Sequence, residues 1–199
     1  MCPGKYSPRY LLGLLLCGAM AMSFFAPPSI AGADAASAYD LNGRPVDPLK
    51  ASGGKVVVLL FVRTDCPVSN RYAPTIQRLS AAFDASARFW LVYPDGKESV
   101  DAIRAHDRQY RYNLDALRDP DHFLVKKAGA VITPEAAVFA ADGRLVYHGR
   151  IDNWFVDFGR KRSSPTTHEL KDAIEAAISG HPSVIPSAHA VGCYIADVS

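Results

Sequence analysis

The stretch VVVLLFVRTDCPVSN, Val56 to Asn70, decides the fold. Its first half is an unbroken apolar, β-branched run, the pattern of a strand buried on both faces. That strand leads directly to Cys66, and Pro67 follows, a residue suited to the first turn of a helix because its missing N–H needs no partner there. Beyond it Tyr72, Ile76, Leu79 and Phe83 fall on one face of a helix, and Pro74 inside the same segment predicts a kink. A cysteine at such a strand-to-helix junction faces the positive end of the helix dipole and several unpaired N–H groups, which favour the reactive thiolate. Ser69, three residues on, is placed to donate a hydrogen bond to the sulfur, while Asp65 opposes ionisation by its charge.

Working outward, Phe89 to Tyr93 reads as a second strand and Ser99 to Arg111 as a helix. The strand–helix–strand order predicts a parallel pair with the helix covering the sheet. Ala136 to Phe139 and Leu145 to His148 flank Ala-Asp-Gly-Arg, a hairpin signal in which Gly143 takes a positive φ. Thr166-Thr-His-Glu169 has the spacing of a capping box, and Leu170, Ile174, Ala177 and Ile178 form the apolar stripe of a last helix. Gly180 and Pro182 stop it. Arg150 and Asp152 read as a salt bridge at a strand end, and Trp154, Phe155 and Phe158 as aromatic core or the lining of a groove.

The first 33 residues read as an export signal: Lys5 and Arg9 in a polar start, an apolar run from Leu11 to Phe25, then Ala31-Gly32-Ala33 as a cleavage site. Residues 34–182 are then one domain and residues 183–199 a tail carrying a second cysteine. No later stretch approaches the ~20 apolar residues of a membrane span. Without the signal the chain carries 20 basic and 20 acidic residues. That balance gives no basic patch for nucleic acid or an anionic membrane. Export implies a periplasmic or secreted protein, where Cys66 and Cys193 alone survive processing and form a candidate disulfide.

The order of strands and helices, with the cysteine where the central strand meets a proline-kinked helix, resembles the thioredoxin fold: a central mixed β-sheet flanked by helices. The segments DCPVSNRYAPTIQRL, TPE, YHGRID and VGC together resemble exported redoxin-domain proteins of the alkyl hydroperoxide reductase/thiol-specific antioxidant group. The likeness spans Tyr39 to Ile195. It implies a thiol redox site at Cys66, and a cis peptide at Thr133–Pro134 that places the backbone of Thr133 beside the sulfur as a strand edge for a peptide or thiol substrate. Departures narrow the chemistry. Arg63 and Leu59 stand where peroxiredoxins carry Thr or Ser and Pro, so peroxidase activity is not expected. Ser69 and Leu60 replace the second cysteine and the buried acid of dithiol thioredoxins. Asn70 stands where the copper chaperones of cytochrome oxidase assembly carry their second cysteine.

The resulting expectation is a thiol-disulfide oxidoreductase in which Cys66 attacks as the thiolate, Cys193 resolves, and Ser69, Thr133 and Pro134 shape the site. It needs no cofactor. Its partners are a thiol or disulfide substrate, protein or small molecule, and a thiol reductant. The alternative is a non-catalytic protein on the same scaffold, its sulfurs joined in a permanent disulfide staple or binding Cu(I) together with His189. His106, His122, His148, His168 and His181 read as surface or capping residues.

Overall fold

The apolar run before Cys66 is buried along its whole length, and the sheet grows from it on both sides. The computed structural model describes residues 38–180 and 188–196; the signal read over residues 1–33, and His181, Pro182 and Pro186, lie outside the described residues. In chain order the elements are β1 (Ala38–Asp40), β2 (Pro45–Val46), β3 (Val56–Phe61), α1 (Pro67–Phe83), β4 (Ala87–Tyr93), α2 (Val100–Tyr110), β5 (Asp115–Arg118) and α3 (Phe123–Ala128). There follow β6 (Ile132–Thr133), β7 (Glu135–Phe139), β8 (Leu145–Gly149), β9 (Phe155–Asp157), β10 (Arg160–Lys161), α4 (Glu169–Ile178) and β11 (Cys193–Tyr194).

Seven strands form one mixed sheet in the order β2-β1-β5-β4-β3-β7-β8. β3, β4 and β5 are parallel, as the intervening helices require, and β7 runs antiparallel to β3 before returning through the predicted hairpin to β8. Gly143 takes its positive φ, 83°. The strand β5, the short helix α3 and the edge pair β1–β2 add to the sequence reading. β3 alternates between two cores: Val56, Val58 and Leu60 pack with Tyr72, Ile76, Ile103, Leu170 and Ile174 on one side. Val57, Leu59 and Phe61 meet Leu124, Val125 and Ala128 on the other. Burial on both faces explains why this strand shows no polar alternation. α1 runs through Pro74 from Pro67 to Phe83.

Two expectations for the last helix fail. Its stripe is Leu170, Ala173, Ile174 and Ala177, while Ile178 lies exposed at the final turn. The capping box does not form: α4 begins at Glu169 with His168 as an N-cap that makes no side-chain bond. The reason is competition from the preceding loop. The buried amide of Asn153 accepts from the Thr166 and Thr167 N–H groups (2.7 and 3.2 Å) and donates to Thr166 Oγ1 (2.7 Å). Glu169 is meanwhile drawn to Arg150, which binds it through Nε (3.0 Å) and a second nitrogen. Arg150 therefore pairs with Glu169 and not with Asp152, whose carboxylate instead accepts from Tyr72 OH (2.7 Å) and Trp154 N (2.8 Å). Phe155 joins the core, and Trp154 stacks edge-on against Tyr72. Phe158 is 60 % exposed and lies outside the core.

Because Asn153 supplies three hydrogen bonds at a buried loop, Asn153→Ala should lower unfolding free energy by about 2–3 kcal/mol, read from the urea midpoint. Asn153→Asp, which keeps the acceptor, should lose less.

Candidate active site

Cys66 is the N-cap of α1, with extended backbone (φ −81°, ψ 111°), and Pro67 opens the helix behind it. This conformation lays the sulfur over the free N–H groups of the first turn. Its Sγ accepts from the Ser69 N–H at 3.5 Å. The buried Ser69 hydroxyl makes no bond of normal geometry, but it also favours the thiolate. As a thiol, Cys66 donates instead to the Thr133 carbonyl at 3.1 Å.

Thr133 reaches the sulfur from the other side of the site. The Thr133–Pro134 peptide is cis, as the resemblance implied. β6 pairs antiparallel with β11 in the register Cys193 opposite Thr133 and Tyr194 opposite Ile132. The tail is also fixed by Ile195 N donating to Val131 O (3.0 Å), Arg150 N to Ala188 O (3.0 Å) and Thr133 Oγ1 to Cys193 O (3.3 Å). Two glycines leave room for it. A Cβ at Gly192 would stand 1.9 Å from the Thr133 oxygen, and one at Gly149 would stand 2.7 Å from the Ala188 oxygen.

This pairing brings Cys193 close enough to Cys66 for each thiol to act on the other's ionisation, and both thiols are free. Burial alone would push the Cys66 thiol up, but the donors around it, Ser69 and the Cys193 thiol foremost, outweigh burial and hold it below its ordinary value. Cys193 moves the other way. Its own burial, and an adjacent sulfur that accepts its proton and repels a second negative charge, push it up to about 12. Of the two sulfurs Cys66 is therefore the one that ionises first, and the proton stays longer on Cys193. Asp65, expected to act on Cys66, is paired with Arg63 (3.0 Å), and its charge adds to the rise at Cys193.

Cys66 has no exposed surface, whereas Cys193 is half-buried. Ser69, Thr133 and Pro134 thus stand where the sequence placed them, and Cys193 joins them in a strand. His189 does not: among the described residues no group of three or more His, Cys, Asp or Glu side chains converges in a metal-holding arrangement. The Cys66–Cys193–His189 ligand set is not assembled.

Sequence reasoning missed the polar support beneath the Cys66 turn. Thr64 donates through its N–H and hydroxyl to Glu98 Oε1 (both 2.7 Å), and burial raises the pKa of that carboxyl. The Thr64 carbonyl accepts from Asn70 Nδ2 (3.0 Å), so Asn70 Oδ1 faces His106 Nε2 (2.8 Å) and receives its proton. His106 Nδ1 lies 2.9 Å from Tyr93 OH, which also reaches Asp107 (2.8 Å). His106 is thus a buried member of a network and not the surface residue expected; burial holds its pKa down at about 4. His122, His148 and His168 have the peripheral places expected of them. In sequence, His106 sits among charged residues of an amphipathic helix and carries no mark of burial.

The model of the AhpC/TSA family matches residues 22–148. A search of curated proteins found none that matches this sequence. Among solved structures, a hypothetical protein from Sinorhizobium meliloti 1021 superposes with a TM-score of 0.67 at 19 % identity, covering 79 % of this chain and 88 % of its own. An uncharacterized conserved protein from Geobacillus kaustophilus gives 0.64 at 19 % identity, covering 80 % and 88 %. The pneumococcal exposed lipoprotein thioredoxin from Streptococcus pneumoniae gives 0.51 at 21 % identity, covering 72 % and 96 %. These similarities establish the thioredoxin-like fold.

Gly192→Ala should unseat the tail without altering either sulfur's own residue. Iodoacetamide should then modify reduced Cys66 at least about tenfold faster than in the wild type, followed by peptide mass mapping. For His106, a folded pKa below the unfolded 6.5 adds stability that is complete above about pH 6.5 and is lost as pH falls toward 4. The stability advantage of the wild type over His106→Gln should accordingly shrink by about 1–2 kcal/mol between pH 7 and pH 4.5, measured by urea unfolding at both.

Proposed function

The chain belongs to the AhpC/TSA family, and from that premise we propose that it is an exported thiol-disulfide oxidoreductase with Cys66 as nucleophile and Cys193 as resolving cysteine. The observation that carries this reading is the pair itself: a helix-capping sulfur, hydrogen-bonded to Thr133 O, and a second free thiol on the strand residue paired with Thr133. Export rests on the charged, apolar and small-residue pattern of residues 1–33. It agrees with the absence, among the described residues, of a helix long and apolar enough to cross a membrane.

The chemistry follows from the two positions. When the tail lifts, β6 offers a free strand edge beside Cys66, and a client segment bearing a disulfide can occupy it. The Cys66 thiolate attacks one client sulfur, and the client's other sulfur leaves with the electron pair of the broken S–S bond. As the tail returns, Cys193 loses its proton and attacks the Cys66 sulfur of the mixed disulfide. A Cys66–Cys193 bond forms, and the second client sulfur leaves as a thiolate. The client is reduced by two electrons and the pair oxidised. Ser69 holds the Cys66 thiolate, while Thr133 and Pro134 position the strand edge. Arg63 and Leu59, in the places where peroxiredoxins carry their hydroxyl residue and proline, speak against peroxide as the substrate.

Equilibration in dithiol/disulfide buffers tests the reading. The pair should open and close reversibly with a reduction potential above about −300 mV. A disulfide that stays closed well below that value would mark a staple, and copper copurifying on two unoxidised thiols would mark the metal-binding alternative. Either result contradicts the proposal.

A further inference from the structure

We propose that Arg63 is a positioning residue for the resolving step: its guanidinium, pinned between two carboxylates beside the tail, is the positive charge against which Cys193 ionises before it attacks. The inference rests on the oxidoreductase reading and gives that step a residue outside the cysteine pair.

Arg63 is fixed at both ends. Its carbonyl accepts from the Cys66 N–H at 3.4 Å, so it belongs to the turn that delivers the sulfur. Its guanidinium meets Asp65 at 3.0 Å and Asp95 at 3.4 Å, and the side chain is only 21 % exposed. Asp95 is itself held, because its Oδ1 accepts from the Lys97 N–H at 2.9 Å. The side chain so fixed lines a cleft of about 350 Å³ that Ile195 and Ala196, the residues just past β11, also line. The cation and the segment that carries Cys193 thus share one cleft. Lys97, Asp121, His122 and Lys126 border it too, while Glu135 is bonded to the Val131 and Ile132 N–H groups on the β6 side. Apart from the Cys66 sulfur, Arg63 and Asp65 are the charged groups that weigh most on Cys193, Arg63 favouring its thiolate and Asp65 opposing it more weakly.

The need for such a charge follows from the order of events. In the reduced pair, burial and an adjacent Cys66 sulfur that accepts the proton and repels a second negative charge keep Cys193 protonated. Once Cys66 is bonded to a client sulfur it carries no charge, and that second restraint is gone. Burial then remains as the main force against ionisation, and Arg63 as the main charge in its favour. The Cys193 proton passes to solvent, the thiolate bonds to the Cys66 sulfur, and the client sulfur leaves with the electron pair of the mixed disulfide. An arginine suits the post because it stays charged throughout the range in which thiols titrate.

The test uses the processed chain, in which Cys66 and Cys193 are the only cysteines. Reduced protein is mixed with one equivalent of 2,2′-dithiodipyridine, an uncharged disulfide that releases one thiopyridone when Cys66 attacks and a second when Cys193 resolves. In Arg63→Gln the second release should be about tenfold slower at pH 7, and the midpoint of its pH profile should rise by about one unit, while the first release changes by less than about twofold. Arg63→Lys, which keeps the charge, should recover most of the loss. A second release that Arg63→Gln leaves unchanged, an equal loss in both releases, or a lysine variant as slow as the glutamine one overturns the inference. A wild-type chain that stops after one thiopyridone, its mixed disulfide stable, overturns the oxidoreductase reading beneath it.

Discussion

Two sulfurs separated by 126 residues of chain act on each other's ionisation here because β11 lies along β6 with Cys193 opposite Thr133. Without that pairing Cys66 would still cap α1, but burial would oppose its ionisation with fewer donors to answer it. With it, one sulfur gains a donor and the other gains an acceptor. Two similar thiols thereby become unlike: one held low, the other pushed up to about 12. The asymmetry arises from the contact and not from the residues taken separately.

The same strand also closes the site. The edge of β6 that a client would use is filled by the protein's own tail, and the covered sulfur has no exposed surface. Gly192 and Gly149 make this close approach feasible, because a side chain at either would collide with backbone across the interface. Beneath the sulfur, Thr64 is held from two directions, by Glu98 and by the Asn70–His106–Tyr93 chain. The turn that carries Cys66 therefore rests on buried polar contacts, while the cover above it rests on a two-residue strand and a few backbone bonds. The proposed mechanism places its opening in the cover, the part held by fewer contacts.

The sheet was legible in the sequence wherever burial was two-sided and local: the run before Cys66, the crossover helices and the Gly143 hairpin each carry their signal within a few residues. Cys66, Ser69, Thr133 and Pro134 were legible for the same reason, helped by resemblance. Cys193 was legible as a partner because so few cysteines survive processing, but its strand pairing was not, since two residues have no period to read. The Thr166 capping box misled because a distant amide, Asn153, outcompeted a local one. The Arg150–Asp152 pair misled because Glu169, far along the chain, offered a better fork. His106 escaped notice because its burial depends on Asn70, Tyr93 and the neighbouring tyrosines Tyr110 and Tyr112, which only the tertiary fold assembles.

The most direct test of the sulfur contact is thiolate absorbance at 240 nm across pH, referenced to a variant lacking both cysteines. The wild type should ionise in two well-separated steps, the first below the ordinary thiol value and the second near 12. Cys193→Ala should move the first step upward, because Cys66 loses a donor. Two overlapping steps at ordinary values, or a first step that Cys193→Ala leaves in place, would contradict the account.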